Sequence, residues 1–274
     1  MALQKKAAAS KQIKKNKHCY GWVPDLPDHR DFLFREVRRV PAVLPSLVDL
    51  RPLCPKVENQ GELGSCTANA LAGAIEFLER KDNVSFEDFS RLFIYYNERA
   101  IEHSIKYDSG AMIRDGIKTL AKQGVCIERK WPYIESKFAV KPGVVCYRDA
   151  LKHQITSYHR ILTLDEMRAC LAEGFPFVFG FTVYESFESE RVARTGVVQM
   201  PRSGERVVGG HAVLAVGYND SSKRFIVRNS WGGDWGLKGY FTMPYAYVSD
   251  RNLSDDFWTI RGGEEMLHRP ARRR

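Results

Sequence analysis

The sequence predicts an α+β protein of two lobes, mainly helical in its first half and mainly strand in its second. From Ser65 onward, Ala68, Leu71, Ala72, Ile75 and Leu78 recur at spacings of three and four, the period of a helix with one apolar face. After about residue 155 the texture changes to apolar, β-branched runs at Phe175–Val183, Val207–Tyr218 and Arg224–Arg228, punctuated by Gly204, Gly217 and Asn219-Asp220 as turns. The 274 residues, 44% of them hydrophobic and 12% aromatic, are enough for a full core in one domain or two closely joined lobes.

The elements follow in chain order. Residues 1–18 hold six lysines and no acid and read as a basic tail, followed by a Pro/Asp-rich arm over 19–43 in which Trp22 and Phe32 are candidate packing anchors. The main domain is expected over 44–262, with a helical lobe over about 44–155 and a β lobe over about 156–262. Its first helix starts at Ser65, a suitable N-cap, which places Cys66 in the first turn. Helical patterning returns over Phe86–Glu102 and Ala111–Gln123, the latter closed by Gly124. Residues 263–274 form a second basic tail with four arginines. Residues 1–18 and 268–274 carry ten positive charges and no acid against a total of +9, leaving the rest of the chain at −1. No aromatic residues interleave the lysines as a single-strand binder requires, so no specific nucleic-acid partner is expected.

Other classes are excluded on composition. No apolar run reaches the roughly 18–20 residues of a membrane span, and the N-terminus lacks the apolar stretch of a secretory signal. The expected location is the cytoplasm, or outside the cell by a route that uses no such signal. Six cysteines (19, 54, 66, 126, 146 and 170) show no CxxC and no metal-ligand spacing, so neither metal nor cofactor is expected. A monomer is expected.

The chemistry lies in three separated segments. Gln60-Gly-Glu-Leu-Gly-Ser-Cys66 is followed by His211 in Gly-Gly-His-Ala-Val and by Asn229 in Asn-Ser-Trp-Gly-Gly-Asp-Trp-Gly. Singly, such a cysteine is a small core residue, such a histidine a satisfied strand residue, and such an asparagine part of a turn. Together they supply a thiol-dependent acyl-transfer site. A neutral thiol attacks an amide poorly, so the site must lower the thiol pKa below its free value of about 8.5. A helix N-terminus at Cys66 and an imidazolium at His211 would do so. Asn229 would orient the imidazole, Trp231 would shield that bond, and the Gln60 amide with the Cys66 N–H would receive the oxyanion.

These segments resemble those of the papain family of cysteine peptidases: Gln60-Gly-x-x-Gly-Ser-Cys66 its nucleophile loop, Gly-His211-Ala-Val-x-x-Val-Gly-Tyr its histidine strand, and Asn229-Ser-Trp-Gly-x-x-Trp-Gly its asparagine loop. Leu44-Pro-Ser-Leu-Val-Asp-Leu-Arg resembles the family's mature N-terminus. The histidine follows Cys66 by 145 residues and the asparagine by 163, against about 130–150 in the family. The resemblance implies a helical left lobe, an antiparallel β-barrel-like right lobe, and a cleft between them in which polypeptide substrates are cleaved. It also implies that Ser109-Gly110 binds the substrate backbone, that Gly210 and Trp231 belong to the substrate-binding set, that Trp235 lines the primed side, and that Asp255 floors the main specificity pocket (S2) and admits Arg or Lys at P2. An acyl transferase using the same triad, or a non-catalytic protein-binding member of the fold, is compatible with the same motifs.

Departures from the family pattern are specific. Leu63 stands where the family has a bridged cysteine, whose partner falls near Tyr107, so an apolar pair is expected instead. Thr67 replaces a tryptophan after the nucleophile, and Gly210 replaces an acidic or amide residue. The short extension with Gly-Trp-x-Pro-Asp-x-x-Asp-x-Arg-Asp resembles the bacterial xylellain-like branch. It is expected to act as a short prosegment, with residues 19–43 lying across the cleft and inhibiting a zymogen.

Overall fold

The computed structural model describes residues 18–82 and 87–262. Both basic tails, save His18, lie outside the described residues, as does the start of the helix expected from Phe86. The described elements in chain order are α1 (Phe34–Val37), β1 (Leu47–Asp49), α2 (Cys66–Lys81), α3 (Arg91–Ile101), α4 (Ile113–Lys122), α5 (Val144–Ala150), β2 (Ser157–Arg160), α6 (Leu164–Ala172), β3 (Phe177–Tyr184), α7 (Glu190–Thr195), β4 (Val207–Asn219), β5 (Arg224–Arg228), β6 (Tyr240–Pro244), α8 (Tyr245–Ser249) and β7 (Ser254–Arg261). The α+β class is as expected, with three short helices (α6, α7 and α8) after residue 155 that the strand pattern did not reveal.

The sheet is antiparallel in the order β2-β7-β3-β4-β5-β6, with β1 on the far part of β4. It does not close. The β-barrel-like lobe expected from the resemblance is therefore an open sheet. Strand β4 shows why it joins two cores: Ala212, Leu214 and Val216 pack into the cluster built on α2, α3 and α4, while Val213, Ala215 and Tyr218 pack into the cluster of Phe177, Phe179, Phe181 and Phe241. Successive strand residues point to opposite faces, so a strand buried on both sides reads as a continuous apolar run.

Helix α2 is buried from Cys66 to Leu78, which fits a central helix between the sheet and its neighbours. Helix α3 is capped by Ser90, whose hydroxyl accepts from the Phe93 N–H at 3.1 Å. Helix α4 ends at Gly124, whose φ of +75° matches the expected C-terminal glycine. The pair expected to replace a disulfide is not formed: Leu63 is buried, but Tyr107 is 71% exposed and turns outward.

Candidate active site

Three elements deliver the expected residues to one place. Helix α2 begins at Cys66 itself, so its sulfur lies where unpaired N–H groups favour negative charge. Ser65 precedes the helix, but its hydroxyl does not cap it; it bonds Tyr133 Oη at 2.6 Å and accepts from Asn69 Nδ2 at 3.1 Å. Strand β4 brings His211 alongside, and the next N–H, of Ala212, points at Cys66 Sγ at 3.4 Å. The loop after β5 supplies Asn229, whose Oδ1 is 2.8 Å from His211 Nε2. An amide oxygen can only accept, so Nε2 carries the proton and Nδ1 is the basic nitrogen. Nδ1 is buried and makes no hydrogen bond.

Trp231 stacks on His211 at 4.9 Å between ring centroids, and Trp235 meets Trp231 edge-on at 5.1 Å. Both tryptophans are buried, so Trp235 supports Trp231. Gln60 is fixed at both ends of its amide: Oε1 accepts from Ser230 Oγ at 2.6 Å, and Nε2 donates to the Leu63 carbonyl at 2.9 Å and to the Cys19 carbonyl at 3.2 Å. The second of these carbonyls belongs to the N-terminal arm. It sits on the donor that sequence reasoning assigned to an oxyanion.

The arm fills the rest of the cleft. Gly21 lies against Gly64 and Gly110; a Cβ on Gly110 would come within 2.2 Å of the Gly21 carbonyl oxygen. The Ala111 N–H donates to the Gly21 carbonyl at 2.8 Å, the Val23 N–H to the Ala111 carbonyl at 3.1 Å, and the Trp22 N–H to the Gly210 carbonyl at 2.9 Å. Gly110 and Gly210 thus flank the extended backbone of the arm, with Ala111 making ladder bonds. Ser109 is exposed, its hydroxyl bonded to Ser104 and to the Gly110 carbonyl. At the other end, Tyr20 donates to Glu188 at 2.8 Å and His18 stacks on Trp231 at 3.8 Å.

The Trp22 indole enters a slot floored by Gly180, where a Cβ would lie 2.0 Å from the ring. Its Nε1–H donates to Asp256 Oδ2 at 3.0 Å. Asp255, the residue expected at this floor, instead bonds Arg251 at 2.5 Å and Arg160 at 3.2 Å near the surface. The physical reason is a bulge. Strand β7 runs from Trp258 opposite Val178 to Asp255 opposite Gly180, three residues against two, and Asp256 has a φ of +57°. A bulge re-aims side chains, and here it turns Asp256 inward. Sequence reasoning missed Asp256, Gly180 and Arg160; a glycine inside the apolar run of β3 was the available signal of a close approach.

Electrostatics follow from the cover. Burial pushes the Cys66 thiol up to about 12, outweighing N–H groups of Ala212, Gly21 and Thr67 that favour the thiolate. Burial likewise pulls His211 down to about 4, against the support of Asn229. The depressed thiol pKa expected from sequence is therefore not met in this covered state, because burial removes the water that would solvate an ion pair. While the arm covers the site, burial favours the uncharged form of both groups.

Residues 44–255 match the papain family cysteine proteases. The chain is 46% identical over 268 residues to a peptidase C1-like protein, L477, of Acanthamoeba polyphaga mimivirus, covering 88% of this chain and 86% of that protein. It is 30% identical over 212 residues to cathepsin B-like CP3 of Giardia intestinalis, covering 70% of this chain and 65% of that one. Among solved structures, xylellain, a cysteine protease from Xylella fastidiosa, aligns with a TM-score of 0.83 at 46% identity over 91% of this chain and 98% of its own.

Proposed function

Because the chain belongs to the papain family of cysteine proteases, we propose that it is an endopeptidase working through a thioester on Cys66, held latent by residues 19–43 until the arm leaves the cleft. The carrying observation is the convergence of Cys66, His211 and Asn229, with Asn229 fixing the imidazole at Nε2 and leaving Nδ1 as the free base. In the open state Nδ1 takes the thiol proton as Sγ attacks the scissile carbonyl carbon. The imidazolium then protonates the departing amine, leaving a thioester. Water, deprotonated by Nδ1, attacks the thioester, and the acid leaves as the thiol is restored. The oxyanion of each tetrahedral intermediate takes the Gln60 Nε2–H in place of the Cys19 carbonyl, together with the Cys66 N–H. The substrate backbone takes the groups of Ala111 and Gly210 that the arm now uses.

Latency rests on what the arm presents to the nucleophile. The Gly21 N–H faces the Cys66 sulfur and the Gly21 carbonyl is held by the Ala111 N–H, so the arm presents a hydrogen-bond donor to the nucleophile. An E-64-type epoxide tests both parts on the full chain. A single adduct at Cys66 is expected, forming at least about tenfold faster in Trp22→Ala, which loses the half-buried ring that fills the Gly180 slot. Labelling spread evenly over several cysteines would refute an activated Cys66, and equal rates in the two proteins would refute latency.

A further inference from the structure

Asp256 is buried, 1% exposed, at the inner end of the slot that holds the Trp22 indole. Its two oxygens are divided between body and arm. Oδ1 accepts from Arg160 of β2 at 2.9 Å. Oδ2 accepts from the Trp22 indole at 3.0 Å and from the Asp25 N–H at 2.8 Å, both on the arm. When the arm departs, Oδ2 loses both donors at the inner end of the emptied slot. Whatever chain replaces the arm has reason to bring a donor there.

The shape of the slot restricts that donor. Gly180 and Gly210 present bare backbone to the ring; a Cβ on Gly210 would lie 2.9 Å from Trp22 Cε3. Two glycines facing a ring make room for a flat group and leave no space for a branched one. The negative charge is already countered by Arg160, so the slot calls for a neutral N–H more than for a cation. The positive φ of Asp256 is a strained conformation for a non-glycine residue, of the kind that collects at binding sites. Along the backbone, the slot belongs to the residue next to the one at Cys66, because Gly21 faces the sulfur and Trp22 follows it.

We propose that Asp256 is the specificity-determining residue of this peptidase and that its slot selects a substrate with an indole, tryptophan, at P2. The arm occupies the cleft with the side chain that the pocket is built to bind. This rests on the reading of the cleft as a peptidase site.

The test uses the full chain carrying Trp22→Ala, which keeps the arm but empties the slot, and fluorogenic peptides with Arg at P1 and Trp, Leu or Arg at P2. The kcat/KM for Trp is expected to exceed those for Leu and Arg by about tenfold, the worth of one hydrogen bond to a charged acceptor. Adding Asp256→Asn should remove that preference, because Arg160 takes the amide oxygen and turns the NH2 group, a donor, toward the slot. Asp255→Asn should leave the Trp-to-Leu ratio within about twofold. Gly180→Ala, which alters no charge, should lower Trp more than Leu by narrowing the slot. A Leu or Arg peptide that matches Trp, or a ratio unmoved by both Asp256→Asn and Gly180→Ala, overturns the proposal while leaving the peptidase reading intact. Failure to cleave any peptide overturns both.

Discussion

At the residue scale, chemistry constrains type, and this made the proposed site residues Cys66, His211, Asn229 and Gln60 legible in the sequence. The roles proposed for them, nucleophile, base, orienting amide and oxyanion donor, have few substitutes, so residue type and chain order together point to them. Their protonation was not legible, because it depends on who covers them. Thr67 illustrates the same limit. As a departure from the family pattern it reads as a packing change, yet its hydroxyl donates to the buried Glu98 carboxyl at 2.9 Å, whose pKa burial raises. For Gln60 the geometry makes a sharp expectation. Replacing Gln60 by Ala removes one oxyanion donor and should lower kcat by about 10²–10³. A kcat within threefold of the parent, measured with Trp22→Ala in both proteins, would show that the Gln60 amide serves only to seat the arm.

At the element scale the arm is the largest feature that sequence reasoning could name but not assemble. Its anchors lie far apart in the chain: Asp25 accepts from the Trp258 indole at 2.8 Å and from the Arg114 N–H at 3.1 Å, and Asp31 binds Arg114 at 2.7 Å and Arg160 at 3.1 Å. Phe34 is fully buried, whereas Phe32, the other expected anchor, is 57% exposed. Asp25 gives docking a pH dependence. Burial first, then the neighbouring Asp256 carboxylate, raises its pKa to about 7, against the support of Arg114 and Trp258. An acid whose pKa is higher in the docked state binds its proton more tightly there, so docking is strongest at low pH and weakens as pH rises from about 4 through about 7. The Trp22 indole N–H signal in NMR, assigned through Trp22→Phe, should shift toward its free position over that range. Asp25→Asn should flatten the change; a bound signal that strengthens with rising pH would contradict the sign.

At the scale of the whole molecule, β3, β4 and β7 are buried on both faces, which joins the helical core to the aromatic core without a covalent link. None of the six cysteines is in a disulfide. Reduction of a disulfide would cost about 2–5 kcal/mol, at about 2–4 °C of melting temperature per kcal/mol for a domain of this size. Adding reductant to this protein should therefore change its melting temperature by less than about 1 °C in calorimetry, and a drop of several degrees would mean that a bridge forms in solution. Strands β3 and β4 were legible because burial on both faces leaves continuous apolar runs, whereas β1 and β2, short and without a buried residue, were not. The helices α5, α6, α7 and α8 were not, being only five to nine residues long, too short for a helical period to stand out.

The sequence by itself determined the fold class, the catalytic residue types and the family, because each rests on local pattern or on chemistry that tolerates few residues. The tertiary structure decided two things. One is which of two adjacent aspartates faces the cleft, since a single extra residue in a strand exchanges inward for outward and only pairing with β3 reveals the bulge. The other is the state of the site, since a carbonyl from residue 19 reaches an amide at residue 60 only when the chain has folded back through its own cleft.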